Sequence, residues 1–243
     1  MSPPVLNQRE PASDDLQAFA MIHGTVLAMS WLLATIVALY AYATAPMAMD
    51  GAALQETMAA LRRAWPWYTV CYGLFLVADC AIALLGVLLM AWLAPHGGYR
   101  AWTMAVLFAL AGMLGLVMDV TMLTAAQLFR SPSLLGDATT IAVVLGWLNA
   151  TTAWFSAASF ALSGGASLLA APLAACAGAG RRWIAFTRIL AFYQLLVSAI
   201  IVAATLTAAA ALGWLAVIFG VVGTPILASL WLVSLMREIR HEA

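Results

Sequence analysis

From Phe19 to Ala45 the chain carries one ionisable group apart from tyrosine, His23. A helix of about 20 apolar residues is enough to cross the hydrocarbon core of a bilayer. Comparable blocks recur along the whole chain, which is 65% hydrophobic and only 8% charged. A soluble domain of 243 residues needs a charged surface, and this composition cannot supply one. The expected fold class is therefore all-α: a polytopic membrane helix bundle with about six transmembrane helices.

Flanking prolines, glycines and polar residues set the expected limits of the spans. A polar tail over 1–16, with Pro3, Pro4 and Pro11, reads as disordered. The spans are expected over 17–45, 66–94, 102–129, 139–163, 183–211 and 213–236, with a short tail over 237–243. Pro66 opens the second and Pro95 closes it. Gly164, Gly165 and Pro172 leave the end of the fourth open, and the last two spans imply a tight turn near Gly213. The apolar run before Ala43-Thr44-Ala45 is far longer than a signal-peptide core of roughly 7–15 residues, so it reads as an uncleaved span. Between 50 and 65, Leu54, Met58, Leu61 and Trp65 recur at helical spacing beside Gln55, Glu56, Arg62 and Arg63. This is a candidate interfacial helix, with an ordinary helical loop as the alternative.

Arginine placement predicts orientation. With six spans, Arg9, Arg100, Arg181, Arg182, Arg188, Arg237 and Arg240 share one side, against Arg62, Arg63 and Arg130 on the other. The positive-inside bias then puts both termini in the cytoplasm and the protein in the inner (plasma) membrane. Trp65, Trp67, Trp92, Trp102, Trp183 and Trp214 fall at span ends, the positions of an aromatic belt.

Several chemistries are excluded. All ten basic residues are arginines, so no lysine is present for a Schiff base. No basic cluster suits nucleic acid. Cys71, Cys80 and Cys176 have no metal-type spacing, and no HExxH, phosphate-binding loop or nucleophile–base constellation occurs. No cofactor, metal or catalytic residue is expected. The expected partners are the lipid bilayer and a membrane-protein partner or a second copy of the chain.

The polar residues within spans are the candidate sites. An aspartate at mid-membrane is unfavourable by at least about 2.5 kcal/mol, so each needs a reason. Asp79 lies roughly 22 Å along its helix from Ala94, and Asp119 roughly 25 Å from Trp102. The hairpin between them places both carboxyls at similar depth. Each shares its helix face with small residues: Ala83 and Gly86 for Asp79, Gly112 and Gly115 for Asp119. Both should therefore point into the bundle. Either the pair exchanges a proton or cation during transport, or one or both stay protonated and hold helices together. In the fourth span Asn149, Thr152, Ser156, Ser159, Ser163 and Ser167 form a polar stripe, and in the fifth Thr187, Gln194, Ser198 and Thr205 form a weaker one. Such stripes either line a wet cavity or form close-packed seams with hydroxyls bonded to their own backbone. Pro225 is expected to kink the last span.

The stretch His23-Gly24-Thr25-Val26-Leu27-Ala28-Met29-Ser30-Trp31 resembles a haem-ligating helix of b-type diheme membrane cytochromes. Those proteins need paired histidines on facing helices, and here only His96 and His241 remain. His23 therefore reads as a hydrogen-bonded group near the cytoplasmic face. In overall layout the chain resembles a family of uncharacterised bacterial multi-pass membrane proteins, a domain of unknown function. That resemblance rests on the order of spans, the basic loop Gly180-Arg181-Arg182-Trp183, and Pro225-Ile226-Leu227 with Trp231 before a charged tail. It covers most of the chain and implies a fold without an activity. Two functions are carried forward: a non-enzymatic structural or regulatory membrane partner, and a small proton- or cation-coupled transporter or channel using Asp79 and Asp119. A haem-binding or intramembrane-enzyme role stands third. A cavity reaching both aspartates and the fourth-span stripe is the geometry expected of transport, and a closed, dry bundle that of the partner role.

Overall fold

The computed structural model describes residues 14–44, 54–130 and 138–241, and nearly all of them are helical. In chain order the elements are α1 (Asp14–Thr44), α2 (Leu54–Gly97), α3 (Tyr99–Arg130), α4 (Ala138–Ala177), α5 (Arg181–Thr207), a short α6 (Ala210–Ala216), a π-helical segment (Val217–Gly223) and α7 (Thr224–His241). Six stretches are long and apolar enough to cross a membrane; the last, Ala210–Arg240, passes through α6, the π segment and α7. No strand occurs among the described residues. The chain is an all-α bundle of six candidate membrane spans.

Helices continue through most of the expected breakers. α2 is one helix with Pro66 and Pro95 inside it, rather than a span over 66–94. The candidate interfacial helix over 50–65 is not a separate element, because its described part, from Leu54, is the start of α2. α4 passes Gly164, Gly165 and Pro172 to reach Ala177, well beyond residue 163. The physical reason is common to all of these. A proline removes one helical hydrogen bond, whereas a break inside a bilayer leaves several N–H and C=O groups with neither water nor partner.

The fifth span ends at Thr207 instead of 211, and the turn falls at Ala208–Ala209 rather than near Gly213, which lies within α6. Ala208 takes a left-handed φ of 50°, a conformation that costs a residue with a Cβ about 1–2 kcal/mol. The two turns at the other end of the bundle use glycine for the same purpose, Gly98 at φ 46° and Gly178 at φ 83°. The expected tails also change. The helix of α1 already includes Asp14 to Leu16, while 1–13 lie outside the described residues. α7 continues through Arg237 to His241, and Glu238 accepts a hydrogen bond from the Gly180 N–H at 2.9 Å. That contact satisfies a donor at the start of α5, where Gly180 has no side chain to act as a cap.

The spans form a ring. Each packs on its neighbour in sequence, and α7 closes the circle against α1 and α5. The tightest seam joins α2 and α3. A Cβ at Gly86 would lie 2.6 Å from the Ala105 carbonyl oxygen, and one at Gly112 would lie 2.6 Å from that of Asp79. Small residues let the two backbones approach this closely, the source of helix association in lipid.

Arg100, Arg181, Arg182, Arg237 and Arg240 cluster at the end of the ring that holds the Gly98 and Gly178 turns, and all five are exposed. The half of the ring nearest this end is filled by a core built on Leu88, Leu89, Leu93, Leu232, Leu235 and Ile239. Two tryptophans placed by sequence in an aromatic belt, Trp92 and Trp183, belong to this core instead. Trp183 is completely buried, stacks on Trp231 and meets Trp92 edge to face, with ring centroids 5.6 Å away in each pair. The Trp231 indole N–H donates to Thr187 at 2.8 Å, so the stack is also polar-anchored. Trp67, Trp102 and Trp214 are exposed, and Arg130 lies 5.3 Å over the half-buried Trp65 ring at the opposite end.

Candidate functional site

In the half of the ring remote from the arginine-rich end, the spans part around a partly open cavity of about 490 Å³. All six spans contribute to its wall, from Trp31 of α1 round to Pro225 of α7. Its floor, at Ile82, Ser163, Gln194 and Pro225, lies near mid-bundle, and the tryptophan core begins below it.

Asp79 lines this cavity and Asp119 does not. The Asp79 carboxyl packs against Gly115 so closely that a Cβ there would collide with it. Asp119 lies behind, fully buried, and interacts with both Asp79 and Cys71. The two carboxyls are hydrogen-bonded to one another, and Asp119 has no other hydrogen-bond partner among the described residues. The common depth read from the hairpin therefore yields a neighbouring pair, but only one member meets the cavity.

The fourth-span stripe divides in the same way. Asn149, Thr152, Ser156, Ser159 and Ser163 line the cavity, whereas Ser167 lies beneath its floor and donates to Gln194 Oε1 at 3.5 Å. The hydroxyls do not fold back on their own helix. Thr152 and Ser156 donate across to the sulfurs of Met122 and Met118 at 3.3 and 2.9 Å, and Ser159 donates to the Ala111 carbonyl at 3.0 Å. The stripe is thus both the α3–α4 seam and the edge of the cavity. In the fifth span Gln194 and Thr205 reach the wall, Ser198 bonds the Ala157 carbonyl at 2.8 Å, and Thr187 supports Trp231.

His23 stands apart from the cavity. It is buried on α1, stacks on Phe19 at 5.5 Å, and bonds the backbone of Ala81, while its Nε2 has no partner. His96 lies elsewhere, at the end of α2 beside Pro172, Leu173 and Cys176 of α4. No group of three or more His, Cys, Asp or Glu side chains suited to a metal ion occurs among the described residues.

Sequence reasoning missed how the last span is held. Pro225 has no N–H to offer the Val221 carbonyl one turn earlier. The helix responds by widening into the π segment, where the Thr224 N–H reaches back five residues to Phe219. Two distant side chains complete the repair. Thr35 of α1 places its hydroxyl 3.0 Å from the Val221 carbonyl, and the Tyr193 hydroxyl of α5 donates to the Phe219 carbonyl at 2.8 Å. Thr35 also approaches its own Trp31 carbonyl at 2.9 Å. A Thr35→Val variant is expected to lose about 1 kcal/mol of stability, the usual net value of one hydrogen bond. Thr35→Ser should recover most of it, and thermal unfolding in detergent measures both. Pro225 was the legible signal for this device; its partners were not, since a lone threonine and tyrosine in apolar helices have no distinguishing spacing.

The remaining wall is apolar and aromatic, and includes Tyr72, Phe75, Phe160 and Trp214. The arrangement can hold a small molecule inside the bilayer with a single acid in contact with it. No protein-family model, curated protein or solved structure matches the chain.

Proposed function

We propose that this chain is a non-enzymatic carrier of a small solute, coupled to proton or cation movement through Asp79, with Asp119 as the second carboxyl of the relay. The observation that carries this reading is the cavity itself. One half of the ring is parted around Asp79 and the α4 stripe, and the other half is packed shut by the tryptophan core. A carrier needs access to its site from one side at a time, and a bundle open in one half and closed in the other has the form of one such state. A structural or regulatory partner would be best served by a closed, dry bundle, so the cavity supports the carrier over that role. The glycine-rich α2–α3 hairpin, with Asp79 and Asp119 on facing helices, supports a rigid unit that carries both acids.

In this reading the protein resides in the inner (plasma) membrane with both termini in the cytoplasm. The clustered arginines of the α2–α3 turn, the start of α5 and the end of α7 support that orientation. The cavity then faces the non-cytoplasmic side. Reporter fusions inserted between Gly97 and Gly98 and placed after Ala243 should both read cytoplasmic. A non-cytoplasmic signal at either would overturn the orientation.

The carrier reading is tested in proteoliposomes containing a trapped pH-sensitive dye. Organic cations, neutral amphiphiles and inorganic monovalent cations are added in turn outside. At least one class should drive proton movement in the wild type, and Asp79→Asn should reduce that movement at least about 100-fold while still inserting and purifying normally. Absence of solute-driven proton movement across all three classes in the wild type would overturn the reading.

A further inference from the structure

We propose that the cavity binds an organic monocation with an apolar, aromatic-sized body, its charge held by Asp79. This deepens the carrier reading and rests on it for the movement of the bound ion across the membrane.

Charge decides the first part. Among the described residues Asp79 is the one acidic side chain on the cavity wall, and no arginine or histidine joins it there. An anion would meet a carboxyl with a second carboxyl, Asp119, directly behind it and no cationic group to offset either. A neutral solute would leave the Asp79–Asp119 pair without a countercharge. A cation supplies it, and the fully buried Asp119 carboxyl adds negative potential from behind the same site.

The wall decides the rest. An inorganic cation is held by several oxygen ligands in a compact shell. The neighbours of Asp79 along the wall are Phe75, Ile82, Gly115 and Met118, which supply no such shell. The hydroxyls of Thr152, Ser156 and Ser159 donate to separate partners on α3, Met122, Met118 and Ala111, and are spread over two turns of α4 rather than gathered in one shell. In their place the cavity offers aromatic faces from four spans: Trp31, Tyr72 and Phe75, Phe160, and Trp214. Aromatic faces attract cations that carry little hydration, as alkyl- and arylammonium groups do. The volume of about 490 Å³ lies in the range that encloses a drug-sized molecule.

Tetraphenylphosphonium and tetraphenylborate test this directly, because the two ions match in shape and differ in the sign of their charge. Labelled forms of each are equilibrated with the full-length protein in detergent by dialysis, with phenyltrimethylammonium as a smaller competitor. The wild type should show one saturable site for tetraphenylphosphonium, displaced by phenyltrimethylammonium, and none for tetraphenylborate. Asp79→Asn should weaken cation binding at least about tenfold. Ala153→Phe, which fills the cavity without touching the carboxyl, should abolish binding and keeps the test informative if Asp79→Asn fails to fold. Equal binding of the two ions, full binding by Asp79→Asn or by Ala153→Phe, or no saturable site for either cation would overturn the proposal. Cation binding without proton movement in liposomes would defeat the carrier reading and leave the site standing. Proton movement driven by a neutral solute, without Asp79-dependent cation binding, would defeat the site's cation class and leave the carrier.

Discussion

Replacing Asp119 with alanine is expected to destabilise the protein and to stop proton-coupled flux. The side chain is fully buried, and its hydrogen bond is to the Asp79 carboxyl. Removing Asp119 leaves its partner Asp79 with that bond unmade, and a buried polar group left unsatisfied costs about 1–3 kcal/mol. The atoms lost to packing add to that cost, and a loss of about 2–3 kcal/mol is the expected outcome. A carboxyl bonded to Asp79 is also suited to passing a proton. Flux in proteoliposomes should accordingly fall to background. Thermal unfolding and flux measured on one preparation decide the matter. Lower stability with flux unchanged would mean that both acids are structural glue, and unchanged stability would mean that the bond to Asp79 does not form in the membrane.

The second large effect lies in the α2–α3 seam. A Gly112→Ala substitution would place a methyl group 2.6 Å from the Asp79 carbonyl oxygen and 2.7 Å from the Ala83 nitrogen. Both are backbone atoms, so no side-chain rotation relieves the contact, and the helices must separate. Overpacking of this kind typically costs about 1–3 kcal/mol, and a collision with backbone belongs at the upper end. Separation would also shift Asp79, whose carbonyl forms the contact, so flux should fall with stability. Gly73→Ala is the matched control, since a Cβ there meets nothing within 4 Å. It should unfold within about 0.5 kcal/mol of the wild type, in the range of an uncrowded surface change. Equal melting of the two variants would show that the seam is looser than its geometry requires.

The bundle was legible because the length of an apolar block is a local property, readable one span at a time. Asp79 and Asp119 were found as neighbours for a related reason: a short hairpin turns sequence distance into depth by simple arithmetic. Boundaries were less legible, because glycine and proline punctuate helices in water and do so far less in lipid. Hence Pro66, Pro95, Pro172 and Gly213 all lie inside helices, while the chain turns at Ala208, which bears no turn signal. The roles of Trp92, Trp183 and Thr35 were not legible. Each depends on which helix stands opposite, and a ring of six spans offers many pairings that a single sequence does not distinguish.

The π segment has a consequence for how such a chain can change over generations. A π turn holds one more residue than an α turn, so Val217–Gly223 acts as a one-residue insertion absorbed within a membrane helix. Deleting one residue there would restore the α register and rotate everything beyond by about 100°. Leu232, Leu235 and Ile239 would swing away from the tryptophan core, and Glu238 would leave Gly180. Descendants can therefore vary the loops at either end freely in length. Across these seven positions the count is locked to the face of α7, and a lineage that loses one must rewrite that face as well.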